Sequence, residues 1–248
     1  FIGTEGTLGV VTRVVLRLYP QSRSSNSALL ALNAFASVTA LLQQLQSSLG
    51  GTLSAFEVMW GNYFHAVTEA GWHRPPMSRD YPYYVMLQAD GGDPESDKER
   101  FDSVLEQALE AGQLADAVIP KSQAERRALW DIRENFEAIL TPKPVYLHDV
   151  SLPLKDMDRY VQQVTDGVRA RWPLGRCYVL GHIGDGNIHF FTAPMAEGDW
   201  HAEVDEIIYG PLAQFGGSVS AEHGIGTEKL SWLKRSRSVE ELAVMYSL

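Results

Sequence analysis

The stretch Gly181-His182-Ile183-Gly184-Asp185-Gly186-Asn187-Ile188-His189-Phe190 holds the residues best suited to chemistry in this 248-residue chain. Asp185-Gly186 between alternating apolar flanks predicts a hairpin, because a two-residue type I′ turn needs positive φ at both central positions. In that register Gly184 faces Asn187, Ile183 faces Ile188 and His182 faces His189. Directly opposed residues have Cβ atoms about 4.5–5.5 Å apart. Two imidazoles so placed on one sheet face can chelate one metal ion, while the isoleucines point to the other face for burial. The alternative is a cross-strand histidine pair that only fills space, and a third ligand decides between them.

Gly216-Gly217-Ser218-Val219-Ser220-Ala221-Glu222-His223-Gly224-Ile225-Gly226 supplies a candidate. Glycines this dense imply sharp turns or close backbone approach. Glu222 with His182 and His189 would form a His₂Glu set that keeps an open position for substrate. Read alone, the segment is first an irregular loop with a salt-bridged glutamate. Asn187 either orients a ligand or supports the turn, and the turn is the favoured role.

The elements that must position these residues follow from periodicity. Residues 10–18 alternate around Val10, Val11, Val14, Leu16 and Leu18 and stop at Pro20, which predicts a strand. A polar linker at 22–27 marks a domain boundary. Strands are then expected at 28–32, 56–60, 83–87 and 146–152. Phe35, Val38, Leu42, Leu45 and Leu49 form one helical stripe closed by Gly50-Gly51. Asp93-Pro94 starts a helix buried through Phe101, Val104, Leu105 and Ala108. The capping box Ser122-Gln123-Ala124-Glu125 starts another, with Leu129, Ile132, Phe136, Ile139 and Leu140 on its stripe. Pro153 leads into a helix buried through Met157, Tyr160, Val161, Val164 and Val168. No repeat of fixed period is present. The expected fold is α+β, an antiparallel sheet with helices covering one face.

Composition narrows the function. A net charge of −10 and a pI near 5.1 argue against nucleic acid as the main partner. No apolar run approaches the roughly 20 residues that span a bilayer. Lone Cys177 excludes an internal disulfide framework and suits a reducing cytoplasm. Phe1 is not preceded by Met, and 240–248 is a helical pattern without a stop signal. Both ends lead us to expect a piece of a longer polypeptide.

These motifs resemble the FAD-linked 2-hydroxy acid dehydrogenases, the family that includes D-lactate dehydrogenase, the glycolate oxidase flavin subunit and D-2-hydroxyglutarate dehydrogenase. Gly3-Thr4-Glu5-Gly6-Thr7-Leu8-Gly9 is similar to the end of that family's flavin-binding domain, His182–His189 to its metal hairpin, and Ser220–Gly226 to the strand carrying its third ligand and flavin-side histidine. The resemblance implies a ferredoxin-like cap domain at 22–205, end pieces of a flavin-binding domain at 1–21, and a C-terminal helical segment at 206–248. It implies that Glu5, Gly6, Gly9 and His223 lie against FAD, that FAD is bound mostly by a domain outside this chain, and that His223 is the general base. It also implies that His182, His189 and Glu222 hold a divalent Zn, Mn or Fe ion. Leu129-Trp130-Asp131-Ile132-Arg133 matches the family pattern in which the arginine grips the substrate carboxylate. From position alone, Arg133 at the margin of its helix stripe equally snorkels or pairs with an acid.

One departure bears on substrate. Many members carry lysine two residues before the Asp of Asp149-Val150-Ser151-Leu152-Pro153, and here Leu147 stands there. The lost cation, with Phe190-Phe191 after the hairpin, favours a monocarboxylate such as lactate or glycolate, or one with an apolar tail, over 2-hydroxyglutarate. The expected activity is oxidation of a small D-2-hydroxy acid to the 2-oxo acid with hydride passed to FAD, in the cytoplasm. The electron acceptor is open, and a homodimer is a candidate assembly. A metal-dependent hydrolase using the same His₂Glu site, and a non-catalytic subunit with the cap fold, are the rival expectations.

Overall fold

A computed structural model describes residues 1–69, 71–141 and 143–247. The strands are β1 Ser24–Leu32, β2 Leu53–Trp60, β3 Tyr83–Gly91, β4 Asp116–Val118, β5 Tyr146–Ser151, β6 Arg176–His182 and β7 Asn187–Ala193. The helices are α1 Phe35–Ser48, α2 Gly61–Val67, α3 Pro94–Glu110, α4 Gln123–Glu134, α5 Glu137–Leu140, α6 Leu154–Arg171, α7 His201–Tyr209 and α8 Val239–Ser247. All strands join one antiparallel sheet in the order β4-β1-β3-β2-β6-β7-β5.

That order contains one topology twice. The run β1-α1-β2-β3-α3-β4 has the spatial order 4-1-3-2 of a ferredoxin-like unit. The run β5-α6-β6-β7-α7 repeats it, and an isolated bridge between Ser151 and Ser218 takes the place of its fourth strand. The halves meet through β2 and β6, with Glu57 opposite His182. No repeat is visible in the sequence because a βαβ plan needs only matching periodicity, not matching residues.

The two faces of the sheet bury separate clusters. Leu30, Val58, Val85, Val150, Val179 and Phe190 face α1, α3, α6 and α7. Leu29, Met59, Tyr84, Met86, Leu180 and Phe191 face the smaller cover of α2, α4 and α5. Helices thus lie on both faces, not one. The second cover reaches β6 and β7 at Tyr178, Leu180 and Phe191, and the same face continues past it to His182, His189 and Asp149.

Most predicted elements form, with shifted limits. Asp93 accepts the Ser96 amide and Ser122 accepts the Glu125 amide, so both predicted helix starts are capped. Glu125 in turn accepts the Lys121 amide. The stripe expected to run from Leu129 to Leu140 is broken at Asn135 into α4 and α5. The linker expected at 22–27 is already strand from Ser24. The strand expected at 10–18 makes no pairing among the described residues, and Val10, Val14, Leu16 and Leu18 are exposed. Alternation marks a half-buried strand only where a partner edge is present to take its hydrogen bonds. The 205/206 boundary falls inside α7, and Ile208, Leu212, Phe215 and Val219 pack into the same core as α6. The helix expected over 240–248 is α8; Leu248 lies outside the described residues.

Candidate active site

The hairpin that carries the histidines is looser than a two-residue turn. Residues Ile183–Asp185 form a 3₁₀ turn closed by Gly186, which is left-handed at φ 73°. The register therefore pairs Leu180, not His182, with His189. His182 lies two residues beyond Leu180 and so shares a face with His189 on the diagonal. Their ring centroids are 5.3 Å apart and nearly perpendicular. The predicted convergence holds, but through a diagonal contact instead of a facing pair. Ile183 and Ile188 are fully buried on the opposite face, as alternation requires. Gly181 permits the wider turn, since a Cβ there would sit 2.3 Å from the Asn187 carbonyl oxygen.

Glu222 comes to the same point from the loop after Ser218. Its Oε1 is 3.5 Å from His182 Nε2 and its Oε2 is 3.9 Å from His189 Nε2. One ligand atom from each of the three residues lies within 4.8 Å of the others. Ligands at 2.0–2.1 Å around a tetrahedral ion stand about 3.4 Å apart, and the two Glu222 contacts lie near that spacing. His182 Nδ1 is held 2.7 Å from Glu57 Oε1, which turns Nε2 towards the triad. The bond to Glu57 raises the His182 pKa. Burial, and then the neighbouring His182 charge, push His189 down to about 4, so it is a neutral imidazole able to ligate at neutral pH. Asn187 Nδ2 lies 3.5 Å from His189 Nε2.

Glu57 was not anticipated, and it is the hub. Arg133 donates to its Oε2 from Nε at 3.0 Å and from Nη2 at 2.7 Å. Burial pushes the Glu57 carboxyl up, but the bond from His182 and the Arg133 charge outweigh it and hold the group ionised. A lone acid in the otherwise apolar run Phe56-Glu57-Val58-Met59-Trp60 was the available signal. Arg133 does reach the site, and two of its five N–H donors are spent on Glu57.

Asp149 is the second residue missed as a working group. It sits opposite His189 on β5, fully buried, and its Oδ2 accepts the consecutive amides of Ala221, Glu222 and His223 at 2.9, 2.8 and 3.1 Å. Lys229 Nζ contacts its Oδ1. Burial raises its pKa, but Lys229 and the amides dominate and bring it to about 2. This carboxylate fixes the loop that delivers Glu222 and His223. His223 Nδ1 is 3.7 Å from Asp149 Oδ1, and its half-exposed ring stacks on His189 with centroids 5.6 Å apart.

The N-terminal glycine motif joins the same loop. Glu5, itself left-handed at φ 50°, accepts the amides of Ile225 at 2.5 Å and Gly226 at 2.7 Å. The motifs at 3–9 and 220–226 are thus tied together, whereas Gly6 and Gly9 lie exposed at the surface. Above the triad opens a cavity of about 760 Å³ bordered by Arg133, His182, His189, Glu222 and His223. Its remaining wall is largely apolar: Trp130, Phe136, Leu140, Leu147 and Phe191, with Phe136 and Phe191 stacked at 5.4 Å.

Residues 21–248 match the family described as FAD linked oxidases, C-terminal domain, and the chain belongs to that family. It is 32% identical over its whole length to the mitochondrial D-2-hydroxyglutarate dehydrogenase of Arabidopsis thaliana, covering 44% of that protein. It is 33% identical over 98% of its length to D-2-hydroxyglutarate dehydrogenase of Xanthomonas citri pv. viticola, covering 52%. A putative mitochondrial D-lactate dehydrogenase of Schizosaccharomyces pombe is 29% identical over the whole chain, which covers 49% of it. The chain thus spans about half the length of these curated relatives. Among solved structures, p-cresol methylhydroxylase superposes with a TM-score of 0.66 at 9% identity, over 92% of this chain and 50% of that one. A 4-ethylphenol oxidase from Gulosibacter chungangensis gives 0.59 at 15%, over 94% and 51%. These two likenesses speak for the fold alone. No helix among the described residues is long and apolar enough to cross a membrane.

Proposed function

We propose that this member of the FAD linked oxidases is the substrate-side half of a flavin-dependent dehydrogenase that oxidises a small D-2-hydroxy acid, with a divalent metal holding the substrate. The observation that carries the proposal is the convergence of His182, His189 and Glu222 beside Arg133 in a chain whose relatives are named 2-hydroxy acid dehydrogenases. Two neutral-capable imidazoles and one carboxylate suit Zn, Mn or Fe and leave coordination positions free. When bound, the ion favours the alkoxide of the hydroxy acid, and FAD accepts the hydride from Cα.

The protein's own residues do the rest. Arg133, held through one edge by Glu57, has three N–H donors left for the substrate carboxylate. His223 takes the hydroxyl proton at Nε2, the nitrogen away from Asp149. The wall of Phe136, Leu140, Leu147 and Phe191 receives the substrate side chain and excludes water. Arg133 is the one Lys or Arg among the described residues of that lining. A second carboxylate would find no cation at Leu147, so the proposed substrate is a monocarboxylate resembling lactate or glycolate, or one with an apolar side chain, in contrast to relatives named for 2-hydroxyglutarate. The relatives' names include mitochondrial ones, whereas a cytoplasmic site is the proposal from Cys177 alone; fractionation decides between them.

The experiment is a redox-dye assay of the intact polypeptide over paired D- and L-2-hydroxy acids with methyl, isobutyl, benzyl and carboxyethyl side chains. Turnover confined to D-monocarboxylates, with flavin co-purifying, is expected. Turnover of the carboxyethyl acid alone would overturn the substrate assignment, and no turnover with no bound flavin would return the site to hydrolase chemistry.

A further inference from the structure

On the opposite face of the sheet a second set of metal-ligating groups converges, and we propose that it is a separate binding site for a transition-metal ion of the Zn²⁺ class. His148 on β5, and His201 and Asp205 one turn apart on α7, each offer a ligand atom within 4.8 Å of the others. His148 Nε2 is 2.8 Å and His201 Nε2 is 3.6 Å from the same oxygen, Asp205 Oδ1. The catalytic triad lies on the other face, because side chains at 148 and 149 alternate across β5.

Several features distinguish this cluster from a hydrogen-bonded pair. His201 and Asp205 at i and i+4 share one helix face, so their ligand atoms meet without distortion. Asp205 is oriented from behind: Trp232 Nε1 donates to its Oδ2 at 3.2 Å, which leaves Oδ1 for the cluster. The His201 ring is stacked on Tyr146 at 5.4 Å, which holds it in place. Its Nε2 stands just beyond hydrogen-bond reach of Asp205, at a separation that two ligands of one ion adopt. His148 is fully enclosed, Asp205 is partly buried and His201 is half exposed. An ion can therefore enter from solvent and keep water at its open positions. Two imidazoles and one carboxylate favour Zn²⁺ over Ca²⁺ or Mg²⁺, which take oxygen ligands. Binding requires the His148–Asp205 contact to open by about 0.5 Å to reach tetrahedral spacing. The ion would join β5 to α7 and, through Trp232, to the segment that carries Lys229.

The test counts Zn²⁺ per chain by equilibrium dialysis of chelator-stripped intact protein. Two ions per chain are expected in the parent, one in His201→Ala, one in His189→Ala and none in the double variant. Position 201 is half exposed, so its replacement leaves the fold intact, and circular dichroism checks this. His201→Ala that binds as many ions as the parent overturns the proposal. A parent that binds one ion lost in His201→Ala supports this site and removes the other; one ion lost only in His189→Ala does the reverse.

Discussion

In the first half of the sheet, the positions facing α2 and α4 are filled by Leu29, Ala31, Met59, Tyr84 and Met86; in the second half, the same face carries Tyr178, Leu180 and Phe191 and, beside them, His182, His189 and Asp149. Both halves have one strand order. They differ at the last strand. In the first, β4 closes the unit by pairing with β1 over residues 29–31. In the second, the equivalent segment makes a single bridge at Ser218 and then leaves the sheet. The chain released there is the loop carrying Glu222 and His223. A closed unit gives stability, and an unfinished copy of it gives a place to bring ligands to a rigid sheet. Asp149 replaces the missing ladder by capturing three consecutive amides of that loop.

The contrast can be broken by paired substitutions. Leu87→Ala in the first half should cost about 2–5 kcal/mol in denaturant unfolding, as large-to-small core changes do, with metal affinity of the folded protein unchanged. Asp149→Ala should cost about 3–5 kcal/mol, because it leaves Lys229 unpaired in a largely buried place. It should also weaken metal binding strongly. Parent-like metal affinity in Asp149→Ala would show that the loop is held by something else.

A smaller effect is expected at the seam of the halves. Glu57→Gln keeps the shape but weakens the hold on His182 and Arg133, so metal affinity should fall about 10–100-fold in competition titrations. Unchanged affinity would make Glu57 a mere partner for Arg133. Acid should also separate the halves. Asp149 lies at about 2 against an ordinary 3.8, so its stabilisation is present above pH 4 and lost as pH falls towards 2. At about 1.4 kcal/mol per pH unit this is worth about 2.5 kcal/mol. In hydrogen exchange, amides 221–223 should lose protection over that range before those of β3 do. The smallest effect is on selectivity: Leu147→Lys should move kcat/KM about tenfold towards the carboxyethyl 2-hydroxy acid, or about 1.4 kcal/mol. No movement would place the side-chain pocket elsewhere.

Local signals were enough to read most of the helices, the two-histidine hairpin and the glycine-rich Glu222 loop. Period and capping act over a few residues, and a sheet face is set by parity, which survived the change of turn. Longer-range facts were not legible. The type I′ turn was wrong because Asp185-Gly186 is the end of a four-residue turn that includes the buried Ile183. The helix broke at Asn135 although the apolar stripe continues, and Phe136 just past the break stacks on Phe191. Glu57 and Asp149 act through partners 76 and 80 residues away in sequence, and no spacing rule links such pairs. The strand at 10–18 failed for the opposite reason: its pattern is local, but nothing among the described residues pairs with it.

The most direct measurement is turnover of chelator-stripped intact protein on its best D-2-hydroxy acid, before and after one divalent ion is restored. The proposal predicts that stripped protein retains its flavin but loses at least about 99% of turnover, and that Zn, Mn or Fe restores it in the parent and not in His189→Ala. Full turnover without metal, with His182, His189 and Glu222 intact, would contradict it.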